Sequence, residues 1–314
     1  MKHIIIAALA AGAVALPALA ADYTILAPAA PGGGWDQTAR TMQAVLQDEG
    51  ISGNVQVNNV PGAGGTIGLA QFVNQAAGEP DQLIVGGYVM VGAILTNNSP
   101  VDLSMVTPIA RLTGESVAIV APANSPIQSV DDLVAALKAD PGAVSWAGGS
   151  AGGADHITAG LIAKAVGVDP TRVNYIAFSG GGEALAAILG GQVTVGVSGY
   201  GEFASQIEAG QMKLLAVSGE SRLDGVDAPT LQEAGVDVVL ENWRMVAAAP
   251  GLTPEQEAAI AADIEALATS DGWQAVLAER GWVDRYLAGE AFQAQLAADI
   301  EATSAILKDV GLVQ

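Results

Sequence analysis

Four glycine-rich loops carry most of the chemistry that this sequence can offer. Two of them lie early in the chain, "PGGGWDQTAR" at 31–40 and "VPGAGGTIG" at 60–68. The other two follow much later, "GGSAGGADHI" at 148–157 and "FSGGGEAL" at 178–185. Glycine lets successive backbone N–H groups converge on an anion, and a helix that follows adds partial positive charge. Any one loop could be an ordinary tight turn, but two pairs of loops favour an anion site.

Motifs for nucleotide binding and catalysis are missing from these loops. A phosphate-binding P-loop needs Lys and then Ser or Thr after its last glycine, and none of the four has this. The stretches "SGGGE" at 179–183 and "SGYGE" at 198–202 lack the G-x-S-x-G order of a nucleophile elbow. The sequence offers no His pair and no tight carboxylate cluster for a metal. We therefore expect no cofactor, no metal and no catalytic residue.

Five other side chains could contribute to a site formed by the loops. His156 follows the third loop at the start of a helix, where it could cap that helix, line a cleft or act as a base. Arg244 is either a ligand group or half of a structural salt bridge. Tyr88 and Tyr200 sit at predicted strand ends and either supply hydroxyls or pack, while Trp35 is expected to wall the cleft.

The elements that must position these residues follow a repeating order. A short β-prone run, a glycine loop and a helix-patterned segment recur four times, twice before residue 80 and twice between 140 and 192. This order predicts an α/β protein of two lobes, each a mainly parallel sheet flanked by helices. Chain crossings near 115–122 and 240–245 would form a hinge. The predicted lobes are 21–117 plus 244–314, and 118–243.

Composition and the N-terminus limit the compartment and the partners. The first 20 residues, "MKHIIIAALAAGAVALPALA", predict a secretory signal peptide, so we expect a soluble protein exported to the periplasm. The chain has no cysteine, which excludes disulfides and thiolate metal sites. It holds 12 Lys and Arg against 33 Asp and Glu, a balance that disfavours nucleic acid and anionic lipid as partners.

Longer segments resemble the substrate-binding proteins of tripartite tricarboxylate transporters, the Bug-type receptors. They include "APGGGWDQTAR", "VNNVPGAGGTIGL", "FSGGGEALAAILGGQVTVGVSGYGEF" and "ENWRMVAAAPGLTPEQ", and they run through the chain in order. The resemblance implies a two-lobed type II periplasmic binding fold, a carboxylate ligand and delivery to a membrane permease of a large and a small subunit. The first and fourth loops look most like the tricarboxylate, citrate-type branch. We expect a monomer.

The resemblance also implies a set of ligand-binding positions. In the first lobe these are Gly33, Gly34, Trp35, Asp36, Ala63, Gly64, Gly65 and Thr66, with Tyr88 added from its strand end. In the second lobe they are Ser150, Gly152, Gly153, Asp155, His156, Phe178, Ser179, Gly180 and Tyr200, with Arg244 at the crossing. Met245 departs from the small residue expected there. Two other functions stay open, a sensory adaptor for a membrane kinase and an exported hydrolase that uses His156.

Overall fold

The computed structural model describes residues 21–314, so the predicted signal peptide lies outside the described residues. The first three strand–helix pairs are β1 (Ala21–Ala27), α1 (Gly34–Asp48), β2 (Ser52–Asn59), α2 (Thr66–Gln75), β3 (Gln82–Gly87) and α3 (Tyr88–Thr96). A long strand and a helix follow, β4 (Thr107–Pro122) and α4 (Val130–Ala139). Within residues 21–314, no helix has the length and apolar character that crossing a membrane requires.

The second half of the chain repeats the first arrangement. Its three pairs are β5 (Ser145–Gly148), α5 (Ala154–Ala165), β6 (Asn174–Ala177), α6 (Gly181–Leu189), β7 (Val195–Gly199) and α7 (Tyr200–Glu208). The remaining elements are β8 (Met212–Val217), β9 (Glu241–Ala248), α8 (Pro254–Thr269), α9 (Asp271–Arg280), β10 (Val283–Ala288) and α10 (Gly289–Asp309). The described residues therefore contain two β-α-β-α-β-α units. The sequence pattern predicts two strand–helix pairs in each half, and the structure adds a third pair to each, β3 with α3 and β7 with α7.

The strands join in the order β2-β1-β3-β9-β4-β7-β5-β6, with β10 and β8 also paired to β4. Each unit contributes a parallel trio, since β1 pairs in parallel with β2 and β3, and β5 with β6 and β7. The pairs that β4 and β9 form are antiparallel. The fold is the predicted two-lobed α/β architecture, in which antiparallel strands lie between the two parallel trios.

Strand β4 belongs to both lobes. From Thr107 to Ser116 it pairs with β9, and from Val117 to Pro122 it pairs with β7 and β8. The chain returns to the first lobe where β9 begins, at Glu241. The two passages lie side by side, because Glu241 pairs with Ser116.

Local sequence signals explain where several helices begin. Ser129 accepts the N–H of Asp132 at the start of α4, and Thr253 forms a reciprocal capping box with Gln256 at the start of α8. The pair Thr230 and Glu233 makes the same reciprocal hydrogen bonds. The residues after it form a turn, however, and not the helix that a cap would begin.

Candidate functional site

The glycine loops of both lobes meet at one cleft. Each loop follows the carboxyl end of a parallel strand, where ligands bind in sheets of this kind. The cleft holds a cavity of about 50 Å³, inside a recess of about 570 Å³ that includes its opening to solvent. Its walls consist of Pro28, Ala29, Gly33, Gly34, Trp35, Gly62, Gly64, Gly65, Val89, Gly149, Ser150, Gly153, Ala154, Asp155, Ser179, Gly180, Gly181, Ser198, Glu202, Asn242 and Arg244.

Asp36 organises the first loop and does not line the cleft. Its Oδ2 accepts the N–H of Gly32 at 2.8 Å, and its Oδ1 accepts the side-chain amide of Asn59 at 2.9 Å. Arg40 completes the set as an i,i+4 ion pair. Burial raises the pKa of Asp36, but these hydrogen bonds outweigh it and hold the pKa below the ordinary value. The carboxylate is therefore used within the loop, as a cap.

His156 does for the third loop what Asp36 does for the first. Its Nδ1 accepts the N–H of Gly152 at 3.2 Å, four residues earlier, just as Asp36 accepts from Gly32. Both glycines have positive φ, +84° for Gly32 and +76° for Gly152. The imidazole stacks on Tyr175 with ring centroids 4.1 Å apart. Burial lowers the pKa of His156 to about 4, so the ring is neutral at pH 7 and its Nδ1 is free to accept.

Asp155 lies beside His156 and does reach the cleft. Its Oδ2 accepts the N–H of Gly149 at 2.7 Å. Burial raises the pKa of Asp155 to about 7, against the hydrogen bonds from Gly149 and Ser198, which lower it. Asp155 therefore ties the start of α5 to the end of β5.

The second loop turns through consecutive residues with positive φ. Ala63, Gly64 and Gly65 have φ of +47°, +62° and +89°. A Cβ on Gly65 would lie 2.7 Å from the Trp35 ring, so this glycine lets the indole pack against the loop. The hydroxyl of Thr66 donates to the carbonyl of Ala63 at 2.9 Å, which places Thr66 within the loop and not on the cleft wall.

The two lobes touch across the cleft through glycine. A Cβ on Gly92 of α3 would overlap the carbonyl oxygen of Gly152 in the other lobe. A Cβ on Gly180 would come within 3.8 Å of the Cα of Gly33. The first of these approaches is close enough to exclude a side chain, so α3 packs directly against the third loop, and the two lobes are in contact across the cleft.

A buried ion pair lies where the two crossings meet. Arg244 donates to Glu115, and both residues are only 2% exposed. Glu115 also accepts the indole N–H of Trp282 at 3.0 Å and the amide of Asn242 at 3.4 Å. Burial raises the pKa of Glu115, and the Arg244 charge opposes that rise. The Arg244 guanidinium lies 4.9 Å from the Trp282 ring centroid and also lines the cleft. Arg244 is thus both a salt-bridge residue and a wall residue.

Glu202, on the first turn of α7, is a second acid in the cleft, and it is half-buried as a residue. Its Oε2 has no hydrogen-bond partner within residues 21–314. Burial raises the pKa of Glu202 to about 8, with further contributions from Glu115 and Asp155. At pH 7 Glu202 therefore carries its proton.

A family model described as the tripartite tricarboxylate transporter family receptor matches residues 38–312. The chain belongs to this family. Protein BugT of Bordetella pertussis strain Tohama I is 28% identical over 257 residues, which are 79% of this chain and 78% of BugT.

Solved structures agree with the fold of this receptor. The periplasmic binding protein BugD has a TM-score of 0.84 at 22% identity, over 93% of this chain and 98% of that one. MatC from Rhodopseudomonas palustris with bound malate has a TM-score of 0.81 at 23% identity, over 91% of this chain and 98% of that one. At such identities the likeness shows the fold alone.

The structure brings most of the expected site residues of the receptor together. Gly33, Gly34, Trp35, Gly64, Gly65, Ser150, Gly153, Asp155, Ser179, Gly180 and Arg244 line the cleft, and Ala63 and Phe178 line a neighbouring recess with Ser150 and Ser179. Asp36, Thr66, Gly152 and His156 lie behind these walls. The Tyr88 ring packs edge-on against Trp243, with its hydroxyl near Thr303 of α10, and Tyr200 packs on the apolar core under α7.

Three polar residues of the cleft or of the chain crossings were not predicted from the sequence, namely Glu115, Glu202 and Asn242. Glu115 and Arg244 are 129 positions apart, so no local pattern indicates their pairing. Glu202 carried a usable signal, since it falls on the first turn of a helix that starts at the carboxyl end of a predicted strand.

Proposed function

We propose that this chain is a periplasmic receptor that captures a di- or tricarboxylate between two lobes, 21–117 plus 244–314 and 118–243. It would deliver the ligand to a tripartite permease of a large and a small subunit, acting as a monomer without a cofactor. The observation that carries this proposal is the closed cleft, into which the N-termini of α1 and α5 open from opposite lobes.

Backbone amides supply the attraction for an anion in this proposal. Within the residues that line the cleft, Arg244 is the one cationic side chain, and Glu115 already neutralises it. Asp36 and His156 hold the turns before α1 and α5 by taking the N–H groups of Gly32 and Gly152. The N–H groups of Gly33 and Gly153 donate within these turns, to the carbonyls of Ala30 and Ser150. The anion would therefore be held by N–H groups of the first helical residues of α1 and α5, where the helix N-termini favour negative charge.

Two considerations support a carboxylate as the ligand. The family is described as a tricarboxylate transporter receptor, and MatC, which shares the fold, holds malate. Hydrogen bonds between amides and an anion are also stronger inside a protein cleft than in bulk water. A small dicarboxylate fits these conditions, and we place citrate in the same class as a candidate.

Calorimetry and thermal shift with malate, citrate, adipate, phenylalanine and glucose would test the ligand class. We expect binding and stabilisation with at least one of the three carboxylates and none with glucose. A response to phenylalanine alone would overturn the carboxylate assignment.

The two other functions have their own tests. A hydrolase that used His156 would lose turnover in His156→Ala, but His156 is neutral, stacked on Tyr175 and bonded to Gly152, which favours a structural role. A sensory adaptor would bind the same ligand yet associate with a membrane kinase. Reconstitution with the permease subunits distinguishes the two, because only a transport receptor supports ligand uptake into vesicles.

A further inference from the structure

The charges around the cleft present a problem for an anionic ligand. Arg244 is paired with Glu115 at the crossing, so the pair brings no net charge. Asp155 and Glu202 add two more acids to the wall. If both were ionised, they would repel any carboxylate that the loop amides attract.

Glu202 is placed to act on a ligand directly. It sits between the N-terminus of α1, where a Cβ on Gly34 would come within 3.0 Å of Oε1, and Gly181 of α6. A Cβ on Gly181 would overlap Oε2, so the glycine leaves room for the acid. Glu202 lines the cleft, and its Oε2 is buried and has no partner within the described residues. A buried polar atom without a partner is costly, which points to one supplied by a ligand.

We propose that Glu202 is a specificity-determining residue that acts as a neutral carboxylic acid and donates a hydrogen bond from Oε2 to a carboxylate of the ligand. This inference rests on the proposed function, because it requires an anion in the cleft. The proton stays on Glu202 when the ligand is bound, and a molecule with Glu202 ionised must take one proton from solvent to bind. The first-lobe amides would hold one carboxylate and Glu202 another, so the role selects dicarboxylates over monocarboxylates.

The surroundings of Glu202 keep the acid neutral. Burial is the largest influence and raises its pKa to about 8, and Glu115 and Asp155 add to the rise. Arg244 and the Gly34 N–H lower the pKa but do not cancel it. Two other charged groups nearby have their own partners. Arg280 of α9 donates to the side-chain oxygen of Gln37 at 3.2 Å, and Glu183 of α6 accepts the N–H of Ser179 at 3.1 Å. A ligand carboxylate raises the pKa of Glu202 further, so binding and protonation support each other.

The sign of the pH dependence follows from this linkage. Below pH 8 Glu202 already carries its proton, and affinity does not depend on it. Above pH 8 each binding event takes up a proton, so affinity falls by about tenfold per pH unit until the pKa of the bound state is reached. Asp155, with its pKa of about 7, contributes a separate and lower step.

Calorimetry with malate from about pH 6 to about pH 9.5 tests the proposal, on the wild type, Glu202→Gln and Glu208→Gln. Glu208 is an exposed acid on the same helix and is the matched control. We expect the wild type and Glu208→Gln to lose affinity above pH 8, whereas Glu202→Gln keeps it, because an amide also donates but does not ionise. Repetition in two buffers of different ionisation heat should show uptake approaching one proton in the wild type above pH 8, and none from this step in Glu202→Gln.

Two results would overturn the proposal. They are wild-type binding of malate that does not change above pH 8, and a Glu202→Gln variant with the wild-type slope. If Glu202→Gln does not fold, the proton uptake of the wild type in the two buffers decides alone. If the wild type binds no dicarboxylate at any pH but binds another ligand, the proposed function fails as well, and that outcome is distinct from malate binding without proton uptake.

Discussion

At the scale of single residues, the two lobes solve one problem with different side chains. In the turns before α1 and α5, a glycine N–H needs an acceptor. Asp36 and His156, each four residues after that glycine, supply it. A carboxylate does this when ionised, and an imidazole does it when neutral. The pKa of Asp36 is lowered and that of His156 is lowered to about 4, so each is in its accepting form at pH 7.

Asp36→Ala tests the role of the first of these acceptors. Loss of the carboxylate removes the acceptor of the Gly32 N–H, and because Gly32 is exposed to water we expect a loss of about 0.5–1.5 kcal/mol in the free energy of unfolding. The turn that leads into α1 then loses its fixed geometry, and we expect ligand affinity to fall by about tenfold or more. Chemical denaturation and calorimetry measure the two effects.

Arg40→Ala is the control for Asp36→Ala. It removes the exposed half of the ion pair and leaves the hydrogen bond to Gly32, so both quantities should change little. Tighter ligand binding in Asp36→Ala would mean that the carboxylate repels the ligand and does not organise the loop.

The Glu115–Arg244 pair predicts a large asymmetry between single and double variants. Arg244→Met leaves the buried carboxylate of Glu115 without its cationic partner, so we expect a loss of about 3–5 kcal/mol in the free energy of unfolding. Glu115→Gln with Arg244→Met removes both charges and should recover much of that loss. Urea denaturation at pH 7 measures both, and equal losses in the single and double variants would show that the pairing contributes nothing.

At the scale of elements, the sequence predicts what is encoded locally. The order of strand, glycine loop and helix can be read from the sequence, because the turn at each strand end needs glycine. The helix that follows has apolar residues at helical spacing. Both lobes could thus be predicted, together with the loops that line the cleft. The partners of Arg244 and Glu202 could not, because they come from strands and helices that only the tertiary fold brings together. Tyr88 and Tyr200 show the same limit, since strand-end positions do not reveal which way a ring turns.

One prediction at this scale concerns the contact of helix α3 with the other lobe. Gly92→Ala places a methyl group against the Gly152 carbonyl of the other lobe, so it should hold the lobes apart. In a helix interior, Gly→Ala otherwise stabilises the folded state by about 0.5–1 kcal/mol. A loss of ligand affinity would therefore come from the methyl group between the lobes and not from a weaker helix. We expect a larger radius of gyration by X-ray scattering with ligand present, and weaker binding.

Gly182→Ala is the matched control for Gly92→Ala. It lies on the helix α6 and also faces the other lobe, but its added Cβ would meet Gly32 at an ordinary 3.8 Å. The two lobes of the Gly182→Ala variant should close on the ligand as they do in the wild type. A Gly92→Ala variant with wild-type affinity and size would rule out the closed contact as a condition for binding.

At the scale of the whole molecule, net charge acts against the ligand. The chain carries a formal net charge of −21 at pH 7, so its far field repels a dicarboxylate that the cleft amides attract at short range. Affinity then depends on contacts inside the closed cleft, while the rate of capture depends on how far the repulsive field extends.

Salt should therefore accelerate capture. Between about 10 mM and about 150 mM ionic strength the screening length falls from ~30 Å to ~8 Å, which removes most of the long-range repulsion. We expect the association rate of malate to rise several-fold over this range, with a dissociation rate that changes little because the bound ligand is enclosed. Stopped-flow fluorescence can follow both, since Trp35 lines the cleft. Sucrose at matched osmolality, which screens no charge, should leave the rate unchanged. An association rate that falls with added salt would instead reveal a local positive potential at the cleft mouth, strong enough to reverse the effect of the acidic surface.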